Sequence, residues 1–223
     1  NFGKVSAAIW ALSFAAEFSD ISDYRKVVGM IRSLGFGFSN EVAFGADLVA
    51  REYEKLMEKN GERPHISSDC PAISYYIRQY HPTLTQYLAP LASPMVAITR
   101  ALRKTHGDDL PVIFIGPCVA KKAESDEINA ALTFTELRQM FEEAGITPEN
   151  TEATEFDPPF AGKGSIFPVS RGLLQTMNKT EDIAEGNIVV AEGRVNFKDA
   201  LKEFEGGLLQ SHHLELLCCE GDR

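Results

Sequence analysis

Cysteine and positive charge are both scarce in this chain. Only four of its 223 residues are cysteines, and 22 lysine and arginine residues face 32 aspartate and glutamate residues, for a formal charge of −10. An acidic surface is repelled by phosphate groups, so we expect no nucleic-acid partner and no anionic-membrane partner. There is also no apolar run of about 18 residues, so no membrane-spanning helix is expected.

The scarcity of cysteine also bears on the compartment. The opening residues lack the basic region of a secretion signal, and a domain of this size can fold without disulfide bonds. We therefore expect reduced thiols in a cytoplasmic protein. The adjacent residues Cys218 and Cys219 are not expected to pair with each other, because the resulting ring is strained.

Short apolar runs alternate with amphipathic segments along the chain. Strand–helix alternation with connections of this length predicts parallel sheets covered by helices. The break near Gly107 predicts two α/β lobes, residues 1–106 and 107–223. The predicted strands are VSAAIWAL, NEVAFG, HISSDC, VIFIGP, NIVVAEG and LELLCC, and the predicted helices include YRKVVGMIRSLGF, PAISYYIRQYH, PMVAITRALRKTHG, FTELRQMFEEAG and FKDALKEFEGG.

Three of the four cysteines fall at the ends of predicted strands. Cys70 and Cys118 lie at strand-to-helix turns, in SSDCP and GPCVA, and Cys219 ends the last strand. The carboxyl ends of parallel strands are where α/β proteins bind ligands. A single buried cysteine is commonly just a small hydrophobic residue, and that alternative holds for each one taken alone. Three at strand ends favour a ligand site.

The spacing of these cysteines indicates which ligand to expect. Structural zinc sites use CxxC-type pairs, and the chain has none. Widely spaced single cysteines suit an iron–sulfur cluster, which takes thiolate ligands. Lys121 and Lys122 follow Cys118 at a predicted helix start, where positive charge is poorly placed. They indicate a nearby anion, with a solvated helix face as the alternative.

Three ordered motifs carry a family resemblance. They read SSDCPAISYYIRQYHP, GPCVAKKAE and LELLCCEGD, and ADLVARE and GSIFPVSRG stand before the first and third. In these motifs the chain resembles the iron-only ([FeFe]) hydrogenase family, in its catalytic H-cluster domain, over essentially its whole length. The resemblance implies an α/β fold of two lobes, each a small, mostly parallel sheet flanked by helices, with the cofactor in a cleft between them.

The resemblance also implies roles for individual residues. Cys70, Cys118 and Cys219 match thiolate ligands of the [4Fe–4S] part of the H-cluster, whose other part is a di-iron subsite. Lys121 matches the residue that hydrogen-bonds a cyanide ligand of the distal iron, and Glu124 completes that motif. The remaining matches are Ser13 near the other cyanide and Pro94 and Phe167 in the pocket wall.

Departures from the family pattern indicate a particular branch. Asp69 stands where catalytic members carry the cysteine that relays protons, and a carboxylate has a much lower pKa than a thiol. Ala89 replaces a relay serine, and Gly116 and Leu217 replace two methionines near the di-iron site. In these changes the chain resembles the sensory branch of the family, in which the domain is joined to signalling modules such as PAS domains.

The last residues raise the question of the fourth ligand. The family pattern places a further cysteine two or three residues after Cys219, where this chain has Asp222. We expect an excised or truncated domain, with a natural variant ending in Asp-Arg as the alternative.

Three functions remain open on sequence grounds. In the first, the parent protein oxidises H2, reduces protons or senses H2, with ferredoxin-like or downstream signalling domains as partners and this fragment itself without cofactor. In the second, the chain is a non-catalytic regulatory module that holds a labile [4Fe–4S] cluster, with water or Asp222 in the fourth position. In the third, it is an α/β scaffold with inert cysteines. Whether the chain is an enzyme stays undecided.

Overall fold

A computed structural model describes residues 5–60, 64–167, 171–177, 188–209 and 211–219. The chain divides into two compact units, and each unit joins two separate stretches of sequence. Unit 1 contains residues 1–45 and 95–162, and unit 2 contains residues 46–94 and 163–223. The division predicted at Gly107 instead assigned one continuous stretch of sequence to each lobe. The units are discontinuous because strands far apart in sequence pair with each other in both sheets.

The strands within the described residues form one four-stranded and one three-stranded sheet, with the orders β2-β1-β4-β5 and β3-β7-β6. Every pairing is parallel. The strands are β1 (Ala7–Trp10), β2 (Phe38–Glu41), β3 (His65–Ile66), β4 (Val112–Ile115), β5 (Ala130–Leu132), β6 (Ile188–Glu192) and β7 (His213–Leu217).

Helices connect these strands, as parallel pairing requires. The α-helices are α1 (Phe14–Glu17), α2 (Tyr24–Ser33), α3 (Val42–Asn60), α4 (Pro71–Tyr80), α5 (Pro94–His106), α6 (Phe134–Ala144), α7 (Gly172–Thr176) and α8 (Asn196–Glu205). Short 3-10 helices cover Pro82–Tyr87, Val119–Ala123 and Lys163–Ile166. No helix of the described ranges combines the length and the hydropathy needed to cross a bilayer.

The core of unit 1 forms around its two central strands. Every residue of β1 and β4 is buried, which is typical of parallel strands covered on both faces. Apolar side chains of α2, α5 and α6 pack against them. The indole N–H of Trp10 donates to the hydroxyl of Ser39 at 2.8 Å, so the one polar atom of this ring is satisfied inside the core.

The sheet of unit 2 has one apolar face. Leu214 and Leu216 of β7 join Ile66 of β3 in a cluster with apolar residues of α4 and α8. Because side chains alternate along a strand, His213 and Glu215 of β7 lie on the opposite face. That second face is also buried, since His213 is 0% and Glu215 is 3% exposed.

The predicted α/β fold with two small parallel sheets flanked by helices is confirmed. One local prediction was wrong in part: NEVAFG was expected to be a strand, but β2 ends at Glu41 and α3 begins at Val42. Glu41 pairs with Trp10, the last residue of β1, so the two paired strands end together. Pro71 stands in the first turn of α4, as expected.

Candidate functional site

Two cysteines of unit 2 follow neighbouring parallel strands. Cys70 caps α4 four residues after β3, and Cys219 comes two residues after β7. Strands β3 and β7 pair in parallel, with His65 opposite His213. Both cysteines therefore follow the carboxyl ends of adjacent strands, which is the edge where the sequence placed a ligand site.

Hydrogen bonds fix the loop that carries Cys70 to β7. The backbone N–H of Ser67 donates to the carbonyl of Leu214 at 2.9 Å, and the N–H of Leu216 donates to the hydroxyl of Ser67 at 2.9 Å. The pairing of β3 with β7 is thereby extended beyond Ile66 by one residue. The start of the loop is therefore fixed by hydrogen bonds to β7.

The next residue ties the same loop to α3 and α4. The backbone N–H of Ser68 donates to the hydroxyl of Tyr53 at 3.0 Å, and the hydroxyl of Ser74 donates to the carbonyl of Ser68 at 3.3 Å. The Ser68 hydroxyl donates to the carbonyl of Leu91 at 3.2 Å. The backbone before Cys70 is held on three sides, so its thiol is presented from a fixed position.

The other end of this edge is fixed by Gly193, just after β6. Its N–H lies 3.1 Å from the carbonyl of Leu217 and 3.0 Å from that of Cys219. Gly193 has a φ of 86°, a left-handed conformation that glycine adopts without strain. Cys219 is exposed, whereas Cys218 packs against the apolar cluster of unit 2. Cys70 packs against the same cluster, so this contact does not separate the two cysteines, and the packing role of Cys218 stays a prediction.

The third candidate ligand, Cys118, lies in unit 1 after β4. It caps the 3-10 helix Val119–Ala123, and its carbonyl accepts from the N–H of Lys121 at 3.2 Å. Gly116, two residues earlier, is tightly enclosed: a Cβ there would lie 2.6 Å from the Phe114 ring and 2.7 Å from the Cβ of Ala11. A side chain the size of methionine does not fit at this position.

Lys121 and Lys122 are both paired with carboxylates. The ammonium of Lys121 lies 2.6 Å from a carboxylate oxygen of Glu124, and these side chains are 16% and 12% exposed. Lys122 lies 2.6 Å from Glu136 in a more exposed pair. Hydrogen bonds from Lys122 and Thr133 lower the pKa of Glu136 to about 2. The chain thus supplies counter-charges for both lysines, which weakens them as indicators of a bound anion.

The predicted pocket residues are buried side chains beside turns. Ser13 precedes α1, and its buried hydroxyl has no hydrogen-bond partner among the described residues. Pro94 begins α5 and is buried. Phe167 is buried after Lys163–Ile166, a turn held by Asp47, which accepts from the N–H of Gly164 at 2.7 Å.

The predicted site residues therefore divide between the two units. Within each unit they follow strand ends or lie at the starts of helices, and their roles stay predictions. Unit 1 carries Ser13, Cys118, Lys121 and Glu124, and unit 2 carries Asp69, Cys70, Pro94, Phe167 and Cys219.

Sequence reasoning missed the polar groups around Asp69. Burial raises the pKa of Tyr53 well above its ordinary value, and the charge of Asp69, which is hydrogen-bonded to Tyr53, adds to this. Burial likewise raises the pKa of Glu215 to about 8, again with a contribution from Asp69. The available signal was a single acid inside the apolar run HLELL; Tyr53 gave none, since it fits the apolar stripe of a helix.

The donor set fits an iron–sulfur cluster in kind. Thiolates are the ligands such clusters take, all four cysteines lie in described residues, and none forms a disulfide. A [4Fe–4S] cluster takes four ligands, and three cysteines follow strand ends. Within the described ranges no group of three or more His, Cys, Asp or Glu side chains is gathered as a metal site. Asp222, considered as a fourth ligand, lies outside the described residues.

Comparison with known proteins identifies relatives of the chain. The family model for "Iron only hydrogenase large subunit, C-terminal domain" matches residues 4–222. Iron hydrogenase 1 of Clostridium pasteurianum is 26% identical over 250 residues, covering 88% of this chain and 44% of that protein. The cytosolic Fe-S cluster assembly factor NAR1 of Yarrowia lipolytica is 25% identical over 123 residues, covering 51% of this chain and 25% of that protein. The chain thus spans less than half the length of these relatives.

Solved structures share the fold. Variants of the [FeFe]-hydrogenase HydA1 from Chlamydomonas reinhardtii superpose with TM-scores of 0.75 and 0.79 at 17% identity, covering 97% of this chain and 78% of theirs. An apo variant of the same protein superposes with a TM-score of 0.75 at 16% identity, covering 97% of this chain and 77% of its own. At this identity the likeness establishes the fold alone.

Proposed function

This chain belongs to the family of the iron only hydrogenase large subunit, C-terminal domain, and on that premise we propose that it is an H-cluster-type domain whose parent protein senses H2. The observation that carries the proposal is that three cysteines follow the carboxyl ends of parallel strands. Cys70, Cys118 and Cys219 supply the thiolates of an iron–sulfur cluster. When bound, the cofactor supplies the electron transfer and the hydrogen chemistry.

The chain's own residues hold and shape that site. The hydrogen bond from Ser68 to Tyr53 fixes the backbone before Cys70, and the N–H of Gly193, which donates to the carbonyls of Leu217 and Cys219, fixes the backbone at Cys219. By the family pattern, Lys121 would donate to an anionic ligand of the cofactor in addition to its pairing with Glu124, and the Ser13 hydroxyl has unused donor capacity among the described residues. Pro94 and Phe167 match pocket-wall residues of the family pattern, which would exclude water from the cofactor.

Sensing is favoured over rapid turnover by the residues on the proton side. Asp69 is hydrogen-bonded to Tyr53, an arrangement that holds a carboxylate rather than a mobile thiol. Ala89 is buried and has no hydroxyl to relay a proton. Gly116 leaves no space for a larger side chain. Slow proton delivery suits a domain whose redox state reports H2 to a signalling module, such as a PAS domain of the parent chain.

The test is maturation with a synthetic di-iron cofactor under anaerobic conditions, followed by exposure to H2. We expect the infrared bands of the cofactor's diatomic ligands to change with H2, while H2/D2 exchange stays slow. The double variant Asp69→Cys, Ala89→Ser should exchange at least about tenfold faster, because a positioned acid–base group typically contributes that much or more. Ala72→Ser, in the first turn of α4, is the matched control and should have no effect. Absence of any H2-dependent band would refute the hydrogen part of the proposal.

A second candidate is a non-catalytic iron–sulfur module. The similarity to a protein named as an Fe-S cluster assembly factor favours it. This candidate predicts a cluster that forms on anaerobic reconstitution, is lost in air and shows no response to H2. The same maturation experiment separates the two candidates.

A further inference from the structure

The β3–β7–β6 sheet of unit 2 has a second face that is both buried and polar. In parallel register, Val190 lies opposite Glu215 and Glu192 lies opposite Leu217, so these residues share the face with His213. His65 of β3 pairs with His213 and lies on the same face. None of the cysteines lies on these strands.

Glu215 lies in the middle of this face. It is 3% exposed, the Leu173 backbone donates a hydrogen bond to its carboxyl group, and its Oε2 atom has no hydrogen-bond partner among the described residues. His213 is fully buried, and neither of its ring nitrogens has a partner within the same ranges. The ring of Tyr53 packs edge-on against the His213 ring at 5.5 Å.

Unpaired buried polar atoms are costly, and ordered water is their usual partner. Four such atoms, on Glu192, Glu215 and His213, lie on one face of one sheet. A buried water typically makes two to four hydrogen bonds, roughly the number that these atoms offer together with the neighbouring polar groups. We therefore expect ordered water to bind at this face.

The surrounding charges favour a neutral acid at Glu215. Burial raises its pKa to about 8, and Asp69 and Glu192 add to the effect, whereas the Leu173 hydrogen bond and Arg171 oppose it. Burial lowers the pKa of His213 to about 4, with a contribution from His65. Both groups are uncharged near neutral pH, so the acid is a donor and the imidazole offers an acceptor. The titratable or charged groups that face Glu215 are Tyr53, His65, Asp69, Arg171, Glu192 and His213.

We infer that Glu215 holds an exchangeable proton in a hydrated internal site on the polar face of the β3–β7–β6 sheet, bounded by Tyr53, Leu173 and His213. The acid gives its proton through bound water to a base in bulk solvent, leaving the carboxylate, and the reverse transfer reloads it. No redox partner is needed. A role of this proton in hydrogen chemistry near Asp69 rests on the proposed function. The presence of a protonated acid at Glu215 does not depend on it.

Infrared spectroscopy of the chain without cofactor tests this inference. We expect a carbonyl stretching band of a protonated carboxylic acid at about pH 6, where an ordinary glutamate is ionised. The band should shift in D2O and fade as the pH is raised through about 8. Glu215→Gln should abolish it. Glu203→Gln, at an exposed position of α8 in the same unit, should leave it unchanged.

Isotope labelling keeps the test independent of the variants' folding. In the unsubstituted chain, 13C-glutamate should shift the band and 13C-aspartate should not. Burial also raises the pKa of Glu41 in unit 1, so Glu41→Gln is needed to show that the band titrating near pH 8 remains. An identical acid band in the unsubstituted and Glu215→Gln chains, or no glutamate-labelled acid band at about pH 6, would overturn the inference. Because no cofactor is present, neither result bears on cluster binding.

Discussion

The hydroxyl of Tyr53, on helix α3, accepts a hydrogen bond from the backbone N–H of Ser68 at 3.0 Å. Tyr53 is fully buried, and its hydroxyl also lies 3.4 Å from that of Ser68. The backbone N–H that follows β3 is thus satisfied by a side chain from a helix and not by the carbonyl of a neighbouring strand. The loop that ends in Cys70 is held by this contact.

Tyr53→Phe should loosen that loop. The substitution keeps the ring but leaves the N–H of Ser68 without its acceptor, which costs about 1–3 kcal/mol of unfolding free energy. We also expect faster reaction of the Cys70 thiol with a thiol reagent, because its loop opens more often. Urea unfolding and thiol labelling measure both effects. Tyr80→Phe, at a 61% exposed position, is the control. Equal stability and labelling in the two variants would contradict the role given to Tyr53.

The buried acid Glu215 should make stability depend on pH. Its pKa in the folded chain is about 8, above the ordinary value of 4.5. Below pH 4.5 it is neutral in both states and its contribution is fully present. Between pH 4.5 and about 8, Glu215 is ionised only in the unfolded chain. The free energy of unfolding therefore falls as the pH rises to about 8. The full fall corresponds to about 5 kcal/mol.

Glu215→Gln removes this titration, so its stability should fall less steeply over the same range. Urea unfolding at a series of pH values measures the difference between the two chains. Glu203→Gln should follow the unsubstituted chain at every pH. A difference between Glu215→Gln and the unsubstituted chain that stays constant with pH would exclude a protonated Glu215.

Gly172 is a position where only glycine fits. A Cβ at Gly172 would collide with the carbonyl oxygens of Ile166 and Phe167. Gly172→Ala should therefore cost about 2 kcal/mol or more and displace Phe167, one of the predicted pocket-wall residues. At Gly206 the nearest atom to a Cβ is the carbonyl of Lys202 at 3.2 Å, so Gly206→Ala should cost less than about 1 kcal/mol. Thermal unfolding of the two variants tests this contrast, and equal losses would contradict it.

The two lysines after Cys118 offer a matched comparison. Lys121→Met leaves the carboxylate of Glu124, which is 12% exposed, without its counter-charge, and should cost about 3 kcal/mol. Lys122→Met breaks the more exposed pair with Glu136 and should cost less than about 1 kcal/mol. Denaturant unfolding gives both values. A larger loss for Lys122→Met would reverse the ranking that burial predicts.

Pattern in the sequence was sufficient for most of the strands. VIFIGP predicted a fully buried strand, VSAAIWAL predicted the strand β1, and Pro71 correctly predicted the start of α4. The same reasoning failed at Val42, where an apolar run is consistent with a strand or a helix. Glu41 pairs with Trp10, the last residue of β1, and the chain continues directly into α3.

The polar interior of unit 2 was beyond prediction for a different reason. Tyr53 fits the apolar stripe of an amphipathic helix, so nothing in its neighbours indicates a hydrogen bond to Ser68, 15 residues later. Glu215 stands in an apolar strand, but its burial beside Asp69 depends on which strands pair. The discontinuous units have the same origin, since β1 pairs with β4 across about a hundred residues.

The central claim is that Cys70, Cys118 and Cys219 are ligands of an iron–sulfur cluster and that Cys218 is not. Anaerobic reconstitution with iron and sulfide, followed by iron and sulfide determination per chain, tests it most directly. We predict that Cys70→Ser, Cys118→Ser and Cys219→Ser each reduce the bound iron by more than about half, since each removes a thiolate, while Cys218→Ser retains the level of the unsubstituted chain. Iron no higher than in a chain without cysteine, or the same loss in Cys218→Ser as in the other three, would contradict the claim.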